Sequence, residues 1–427
     1  MTTREVLISG AGIAGTTAAY WLREAGYTVT VVERARAPRP GGQTVDLRGA
    51  GRTVVERMGL LDRTRAMAVT QRGIAWIDAY GRHRAEMPVE AFGGRGIVSA
   101  DEILRGDLAA ILYEAARPGV SYLFDDSITG LEQDEDSVLV SFEKIAPRRF
   151  DLVVGADGLR SVVRRLAFDR ELEAFHPLGL LNAWFTVPAE IDLDNWYLMY
   201  NAPGGRVASI RPGRSPTEQK AALSVRSTES LDREDLGSQL SLLERHFADA
   251  GWETPRLLAA AGDASDFYVE SMGQVRLDRW SRGRVVLLGD AGYCPSPLTG
   301  LGTSMALVGA YILAGELADA NHPATERDPV TEAFDRYERA HATLRRTGSR
   351  TAARRGEWVR PDEQAPSRAR LGFHALVPAV ADATADGAHL RQGRCDRPAE
   401  LQDQQEHGAL MRASGHERQP SVRGRCR

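Results

Sequence analysis

The chain has 427 residues, enough for two or three domains at roughly 150 residues each, and its 43% apolar and 26% charged composition is that of an ordinary globular protein. Its net charge of −4 supplies no basic field for nucleic acid or anionic lipid, and no stretch approaches the roughly 20 apolar residues of a membrane span. Three cysteines, Cys294, Cys395 and Cys426, exclude a disulfide framework and any Cys-x-x-Cys centre; with a first segment lacking a basic-then-apolar pattern, they lead us to expect a cytoplasmic protein.

In chain order, Arg4 to Ser9 reads as a short buried parallel strand. It runs into Gly10-Ala-Gly-Ile-Ala-Gly15, a small-residue helix over Thr16 to Ala25 closed by Gly26, and a second strand, Thr28 to Glu33. That succession is the βαβ unit of a doubly wound sheet. Arg36 to Gly42 is a loop rich in Pro and Gly, and Thr53 to Ala68 and Ala100 to Ala116 read as helices, the second stopped by Arg117-Pro118-Gly119. Ser137 to Phe142 and Phe150 to Val154 read as strands leading back to the first sheet. From about Phe168 to Asp278 the texture becomes short alternating strands, among them Leu181 to Val187, Trp196 to Asn201, Arg206 to Arg211 and Ala221 to Arg226, which predict an antiparallel sheet with one helix near Gln239 to Ala250. Gly283 to Gly289 is another buried strand, and Thr303 to Ala318 and Pro329 to Arg345 are long helices. Pro361 to Arg427 holds one aromatic residue, Phe373, and reads as a low-order tail with one short helix over Leu371 to Ala385, interrupted at Pro378. The expected fold is α/β. Residues 1–165 and 275–345 form a Rossmann-like dinucleotide-binding domain, 166–274 a second α+β domain on an antiparallel sheet, and 346–427 the C-terminal helix end and tail.

Gly10-x-Gly12-x-x-Gly15 gains meaning from its place: it follows a strand, opens a helix, and has Glu33 at the end of the next strand, 23 residues after Gly10. The glycines permit the tight turn and bring backbone amides up to a pyrophosphate, while Glu33 can accept from a ribose hydroxyl pair. A dinucleotide is expected here. Asp151-Leu-Val-Val-Gly-Ala-Asp157-Gly158-Leu-Arg-Ser161-Val-Val-Arg164 then places Asp-Gly-x-x-Ser-x-x-Arg directly after a strand. Gly289-Asp290-Ala-Gly-Tyr293-Cys-Pro-Ser-Pro297-Leu-Thr-Gly300-Leu-Gly302 follows a later one.

With these three segments in order, the sequence resembles the single-component, class A flavoprotein monooxygenases, the aromatic hydroxylase family. It is most similar in motif to the tetracycline-inactivating monooxygenases and the tailoring oxygenases of aromatic polyketides. Gly41-Gly42-Gln-Thr-Val-Asp46-Leu-Arg48-Gly-Ala-Gly51 with Met58-Gly59-Leu60-Leu61 resembles their flavin-bordering segment, and Leu104-Arg105-Gly106-Asp107-Leu108 their arginine motif at the FAD; the similarity covers about residues 1 to 345. The resemblance implies an FAD-dependent monooxygenase that takes NADPH or NADH as transient reductant and, through a flavin hydroperoxide, hydroxylates an aromatic or polyketide-like small molecule. It implies a monomer or homodimer, with neither nucleic acid nor an integral membrane as partner.

Under the resemblance, Gly10, Gly12, Ala14 and Gly15 cradle FAD, and Glu33 with Arg34 suits its adenosine ribose. Arg105 supplies a rigid cationic fork near pyrophosphate or ribose. Asp290 accepts from the ribityl chain, and Pro297, Gly300, Gly302 and Thr303 lie against the isoalloxazine, the helix starting near Thr303 aiming its positive end where charge collects on reduction. Asp157 and Arg164 are implied to meet the nicotinamide cofactor. Plainer readings stay open: a solvated arginine for Arg105, a helix or turn cap for Asp290 and for Asp157. Three departures stand out, since many relatives carry His at Tyr293, Asn at Ser304 and an Asp-Ala pair at Gly309-Ala310.

The implied substrate pocket lies between the flavin and the second sheet. Trp184, Phe185, Trp196, Tyr197, Met199 and Tyr200 cluster on two strands; alternation puts Trp196 with Tyr200 on one face and Tyr197 with Met199 on the other. Trp184, Tyr200, Arg211 and Pro297 are the pocket candidates, with core packing and a solvated edge arginine as alternatives. The hard chemistry belongs to the cofactor, so no catalytic side chain is assigned. His83, His176, His246, His322 and His341 read as structural, Cys294 as a packed thiol, and no spacing matches a metal site. A single glycine fingerprint and the lack of a cysteine pair argue against the two-dinucleotide-domain reductases, and the lack of Trp-x-Trp-x-Ile-Pro against the halogenases. The remaining rivals are an antibiotic-inactivating monooxygenase of the tetracycline or rifamycin type, a flavin-dependent double-bond reductase, and a catalytically silent FAD- or ligand-binding protein.

Overall fold

A six-stranded sheet organises the first half of the molecule, in the order Ser281–Arg282, Val285–Leu287, Leu152–Gly155, Glu5–Ser9, Thr28–Glu33, Val120–Phe124. All its pairings are parallel except that of the edge strand Ser281–Arg282. Covered on both faces, the central strands are apolar throughout: Val6, Leu7, Ile8, Leu152, Val153 and Val154 are all fully buried. The structure, a computed structural model, describes residues 4–39, 41–91, 101–168, 174–229, 232, 235–319 and 328–341. The expected tail, 346–427, with its helix over Leu371 to Ala385, and His322 lie outside the described residues. Helix Ile13–Glu24 packs on this sheet beside the 18-residue helix Gly302–Asp319, and a further helix is described over residues 329–341.

Several expected elements are redrawn. The helix expected over Thr53 to Ala68 is two, Gly49–Arg57 and Leu61–Ala66, because Gly59 takes a left-handed φ of 70°. The described part of the Ala100 to Ala116 segment opens as strand Glu102–Leu104, paired with Thr44–Asp46, and turns helical only at Arg105. Val138–Phe142 does not return to the first sheet. It pairs with Ile128–Gln133 and Arg148–Phe150 in a three-stranded antiparallel sheet, and only Leu152–Gly155 rejoins the parallel one.

The second sheet has seven strands: Tyr268–Val275, Phe175–Pro188, Glu218–Arg226, Arg206–Pro212, Trp196–Ala202, Gly73–Ile77, His83–Pro88. Five come from the expected segment and pair antiparallel. The last two form a hairpin from the first half of the chain, which joins Trp196–Ala202 in parallel. Gly73 permits that junction, for a Cβ there would lie 2.8 Å from the Trp196 ring. One face of the sheet is covered by helices Leu236–Phe247 and Thr254–Ala261, the second of them with Pro255 in its first turn. Leu181, Ala183, Phe185, Ala208, Ile210, Ala221 and Leu223 meet Leu242, Leu243, Phe247 and Leu257 there, each large side chain worth about 1.5–3 kcal/mol on burial. The alternate residues face the other way, toward the first sheet's loops.

Candidate active site

The glycine turn sits between strand Glu5–Ser9 and its helix, crowded at Gly10 and Gly15 and open at Gly12. Gly10 has φ 101°, its amide donates to Val32 O at 2.7 Å, and a Cβ on it would lie 2.7 Å from Ala156 O, so the turn is pressed against the Asp157 segment. A methyl group at Gly12, by contrast, would meet nothing within 4 Å. That open side, next to a helix start with no side-chain cap and no acidic residue in its first turn, leaves first-turn amides available to an anion. Glu33 is oriented by its own loop: Oε2 accepts from Ala11 N and Oε1 from Ala35 N, both at 2.9 Å, and each oxygen keeps a lone pair for a ribose hydroxyl. Arg34 is exposed beside it. Ala14 is buried and packs toward Gly289, where a Cβ would come within 2.9 Å of it.

Asp290, Arg105 and the loop before Gly302 converge on one cleft. Asp290 opens the short helix Asp290–Tyr293 and is reached by water, yet protein surrounds it closely enough for burial to raise its carboxyl above the usual range. The Cys294 thiol and the positive charge of Arg105 oppose that rise. Asp290 thus keeps one side open to solvent while protein surrounds the rest of it. Arg105 is exposed at the start of its helix, held by its amide on Gln43 O at 2.9 Å, while Gly106 N donates to Gly41 O at 2.7 Å. Its charge is felt at Asp290, unlike that of an arginine pointing from a helix face into bulk water. Pro297–Thr299 is a tight turn stapled by Thr299 Oγ1 to Ser296 O at 2.9 Å, and it delivers Gly300 in the left-handed region at φ 66°. Asp46 Oδ2 lies 3.9 Å from where a Gly300 Cβ would be, and Asp290 Oδ1 the same distance from a Gly302 Cβ. Thr303 follows in the first turn of helix Gly302–Asp319, which carries no acidic residue there. An open glycine turn at an uncapped helix start, a carboxylate that feels an arginine's charge and a second helix led by Gly302 fit the separate anchors that a molecule as long as FAD needs.

Asp157 is a cap, as its plainer reading had it: Oδ2 accepts from Val162 N at 2.7 Å and Val163 N at 3.2 Å. Its other oxygen, Oδ1, is buried without a partner, which a cap alone does not explain. Arg164 is placed differently from the expectation. It is 2% exposed, and its guanidinium donates to Ala291 O at 2.8 Å and Leu159 O at 2.7 Å, so it ties the Asp157 segment to the Asp290 segment and does not reach a transient dinucleotide.

On the second sheet, Tyr200 is a correction. It lies with Trp196 and Leu198 in the core under the two helices, its ring 6.3 Å from that of Trp252, because even-numbered residues of this strand face the helices. Trp184 lies on the opposite face with Tyr197 and Met199, its ring centre 5.1 Å from that of Tyr268 at a tilt of 31°. Arg211 shares that face but is committed: it pairs with the buried Glu102, donates to Gln71 Oε1 at 2.7 Å, and lies 4.6 Å over the Tyr197 ring. Arg214 to Asp107 at 2.9 Å and Gln274 to Pro295 O at 3.3 Å tie the same face to the loops of the first sheet. Sequence reasoning missed Glu102, whose signal was an acid inside a short apolar strand, and Trp76, which only the inserted hairpin brings to this face. Among the described residues no group of three or more His, Cys, Asp or Glu is placed to hold a metal ion, and no helix is long and apolar enough to cross a membrane.

The FAD binding domain family matches residues 3–346. The chain belongs to that family. It is an FAD-dependent monooxygenase of the aromatic hydroxylase type. The monooxygenase is 48% identical over 319 residues to an uncharacterized protein of Mycobacterium tuberculosis, covering 74% of this chain and 86% of that one. It is 38% identical to a flavin-dependent monooxygenase of Legionella longbeachae, covering 78% of this chain and 84% of that protein. Among solved structures it is similar to the tetracycline destructase Tet(55), with 33% identity, a TM-score of 0.80, and 91% of this chain and 99% of that chain covered.

Proposed function

We propose that this monooxygenase uses NADPH or NADH and O2 to hydroxylate a flat, polycyclic, polyketide-like aromatic compound. One observation carries the substrate class. A row across the cleft-side face of the second sheet runs, residue against residue, Tyr268, Trp184, Ala222, Ser209, Met199, Trp76. Bulky groups stand at both ends and two small residues between them, and at about 4.8 Å per strand the span from Trp184 to Met199 is about 14 Å. Such a trough suits a fused ring system, with the small residues Ala222 and Ser209 as its floor. Because Arg211 is engaged by Glu102, Gln71 and the Tyr197 ring, the trough offers π-faces rather than a free cation.

FAD, when bound, supplies the redox and oxygen-activating chemistry. The residues proposed to hold it are Gly10, Gly12, Gly15, Glu33 and Arg34 at the adenosine and pyrophosphate end, Arg105 and Asp290 at the middle, and Pro297, Gly300, Gly302 and Thr303 at the ring. Ala14 supports them by packing. Asp157, through its unpartnered Oδ1, is the proposed contact for the nicotinamide cofactor. The likeness to Tet(55) supports a second reading in which the compound is a tetracycline and the product an inactivated antibiotic. The test is NAD(P)H oxidation by the flavin-loaded protein with chlortetracycline and with anthraquinone-type polyphenols under labelled O2. Ligand-stimulated oxidation with label in the product supports the proposal, and which compound responds separates the two readings. Turnover without O2 would point to a reductase, and no stimulation by any of them would overturn the proposal.

A further inference from the structure

Two of the three departures from the family pattern, Tyr293 and Gly309, meet in space. Tyr293 ends the helix that begins with Asp290; Gly309 lies in the second turn of the helix that begins at Gly302. A Cβ at position 309 would fall on the Tyr293 hydroxyl, and would also come within 3.2 Å of Leu288 Cδ1 and 3.3 Å of His341 Nε2. The glycine does not serve the backbone, since its φ is helical and Gly inside a helix is about 1 kcal/mol worse than Ala. It serves the space. Tyr293 is 2% exposed, with its hydroxyl 3.0 Å from that of Tyr337, which in turn lies 3.2 Å from Leu287 O. The His341 ring stacks 4.4 Å from the Tyr293 ring and its Nε2 is 3.3 Å from Met305 O, in the first turn and a half of the same helix. Trp280 closes the group, 4.6 Å from Tyr293. Burial raises both tyrosine hydroxyls, so they stay neutral partners.

We propose that Tyr293 and Gly309 are one size-matched pair and that, through Tyr337 and His341, they make the helix over residues 329–341 a positioning element of the FAD site. The pair joins two of the helices that begin at the proposed FAD site, at Asp290 and at Gly302. The spacing between those two starts is therefore set by how far the Tyr293 hydroxyl reaches into the room left at Gly309. The 329–341 helix holds that spacing from behind, by Tyr337 at the strand before Asp290 and by His341 at Met305. None of these side chains reaches the cleft, so they act through Asp290 and the Gly302 helix start. The inference rests on the FAD site proposed above.

The test is a cycle of Gly309→Ala, Tyr293→Phe and the double variant, each purified with FAD and followed by the rate of FAD release, by the visible circular dichroism of the bound flavin and by thermal melting. Gly309→Ala is expected to release FAD at least tenfold faster and to change the flavin dichroism. Tyr293→Phe, which loses one hydroxyl contact, should release FAD about fivefold faster with melting almost unchanged. The double variant should match Tyr293→Phe within about twofold, since the colliding atom is gone. If Gly309→Ala does not fold, a folded, FAD-loaded double variant is the same rescue. A Gly309→Ala protein that behaves as wild type, or a double variant no better than Gly309→Ala, overturns the pair. Melting that falls without any change in FAD release or dichroism reduces it to packing and overturns the positioning role. Wild-type protein that holds no flavin would instead overturn the cofactor site itself.

Discussion

Glu102 is 3% exposed and faces Arg211, Arg48, Asp46 and Thr44. Burial raises its carboxyl to about 7, with Asp46 adding to the rise and Arg211, Arg48 and the Thr44 hydroxyl opposing it. The folded carboxyl therefore holds its proton more tightly than the unfolded one, whose ordinary value is 4.5. Folding takes up a proton between those values, so this group's contribution is fully present at low pH and stability falls as pH rises from about 4.5 through about 7. Urea unfolding below and above that window should show the fall in the wild type and its loss in Glu102→Gln; an equal slope in both proteins contradicts the assignment. Glu102→Ala leaves the half-buried Arg211 without its carboxylate partner and should cost on the order of 1–3 kcal/mol. The same pairing is why Arg211, read from sequence as either a substrate contact or an edge arginine, is neither a free cation nor a solvated one.

At the scale of elements, two capping aspartates look alike and are expected to behave differently. Asp235 caps helix Leu236–Phe247 by accepting from Ser238 N at 3.0 Å, and Asp157 joins the Ser161 cap of helix Val162–Ala167 by accepting from Val162 N at 2.7 Å. Replacing either by Ala should lower stability by about 1 kcal/mol. Only Asp157→Ala should also raise the KM for NAD(P)H, because only Asp157 has its second oxygen buried without a partner, whereas Asp235 is exposed. Equal KM values for both variants and the wild type would leave Asp157 as a cap and nothing more. The same contrast explains what was legible in the sequence. The parallel strands are continuous apolar runs and the glycine turn joins two of them, so the FAD half could be read residue by residue. Local pattern also gave the alternation of Trp196–Ala202, but not which face is covered, because that is decided by helices some 40 residues further on. Gly59 splits a helix that periodicity alone would continue. The strands Val120–Phe124 and Ile128–Gln133 are faint in the sequence, because the connection through Asp125 and Asp126 is a quieter signal than Pro or Gly.

At the scale of the whole molecule, the second sheet is completed by a hairpin from before residue 90, inserted beside Trp196–Ala202. No composition shift marks that insertion, since Gly73–Ile77 is as apolar as a core strand of either sheet. It matters because it supplies Trp76, the far end of the row that begins at Trp184. If the gap between those ends is the substrate floor, filling it from the middle should abolish binding without touching FAD. Ala222 is the place to do so: it is half-buried on the open face, directly between Trp184 and Ser209, while its neighbours Ala221 and Leu223 point into the core. An added Phe ring there projects into the trough and meets no covering helix, so the folding cost should stay within about 0.5 kcal/mol. Ala222→Phe is therefore expected to keep its flavin and its melting temperature while binding chlortetracycline at least tenfold more weakly, read from the perturbation of the flavin spectrum. Ala221→Phe, one residue away, should do the reverse: it overpacks the core under Phe247 and should cost about 1–3 kcal/mol, with binding retained in the protein that folds. A trough that accepts Phe at 222 with unchanged binding would place the substrate elsewhere on the molecule.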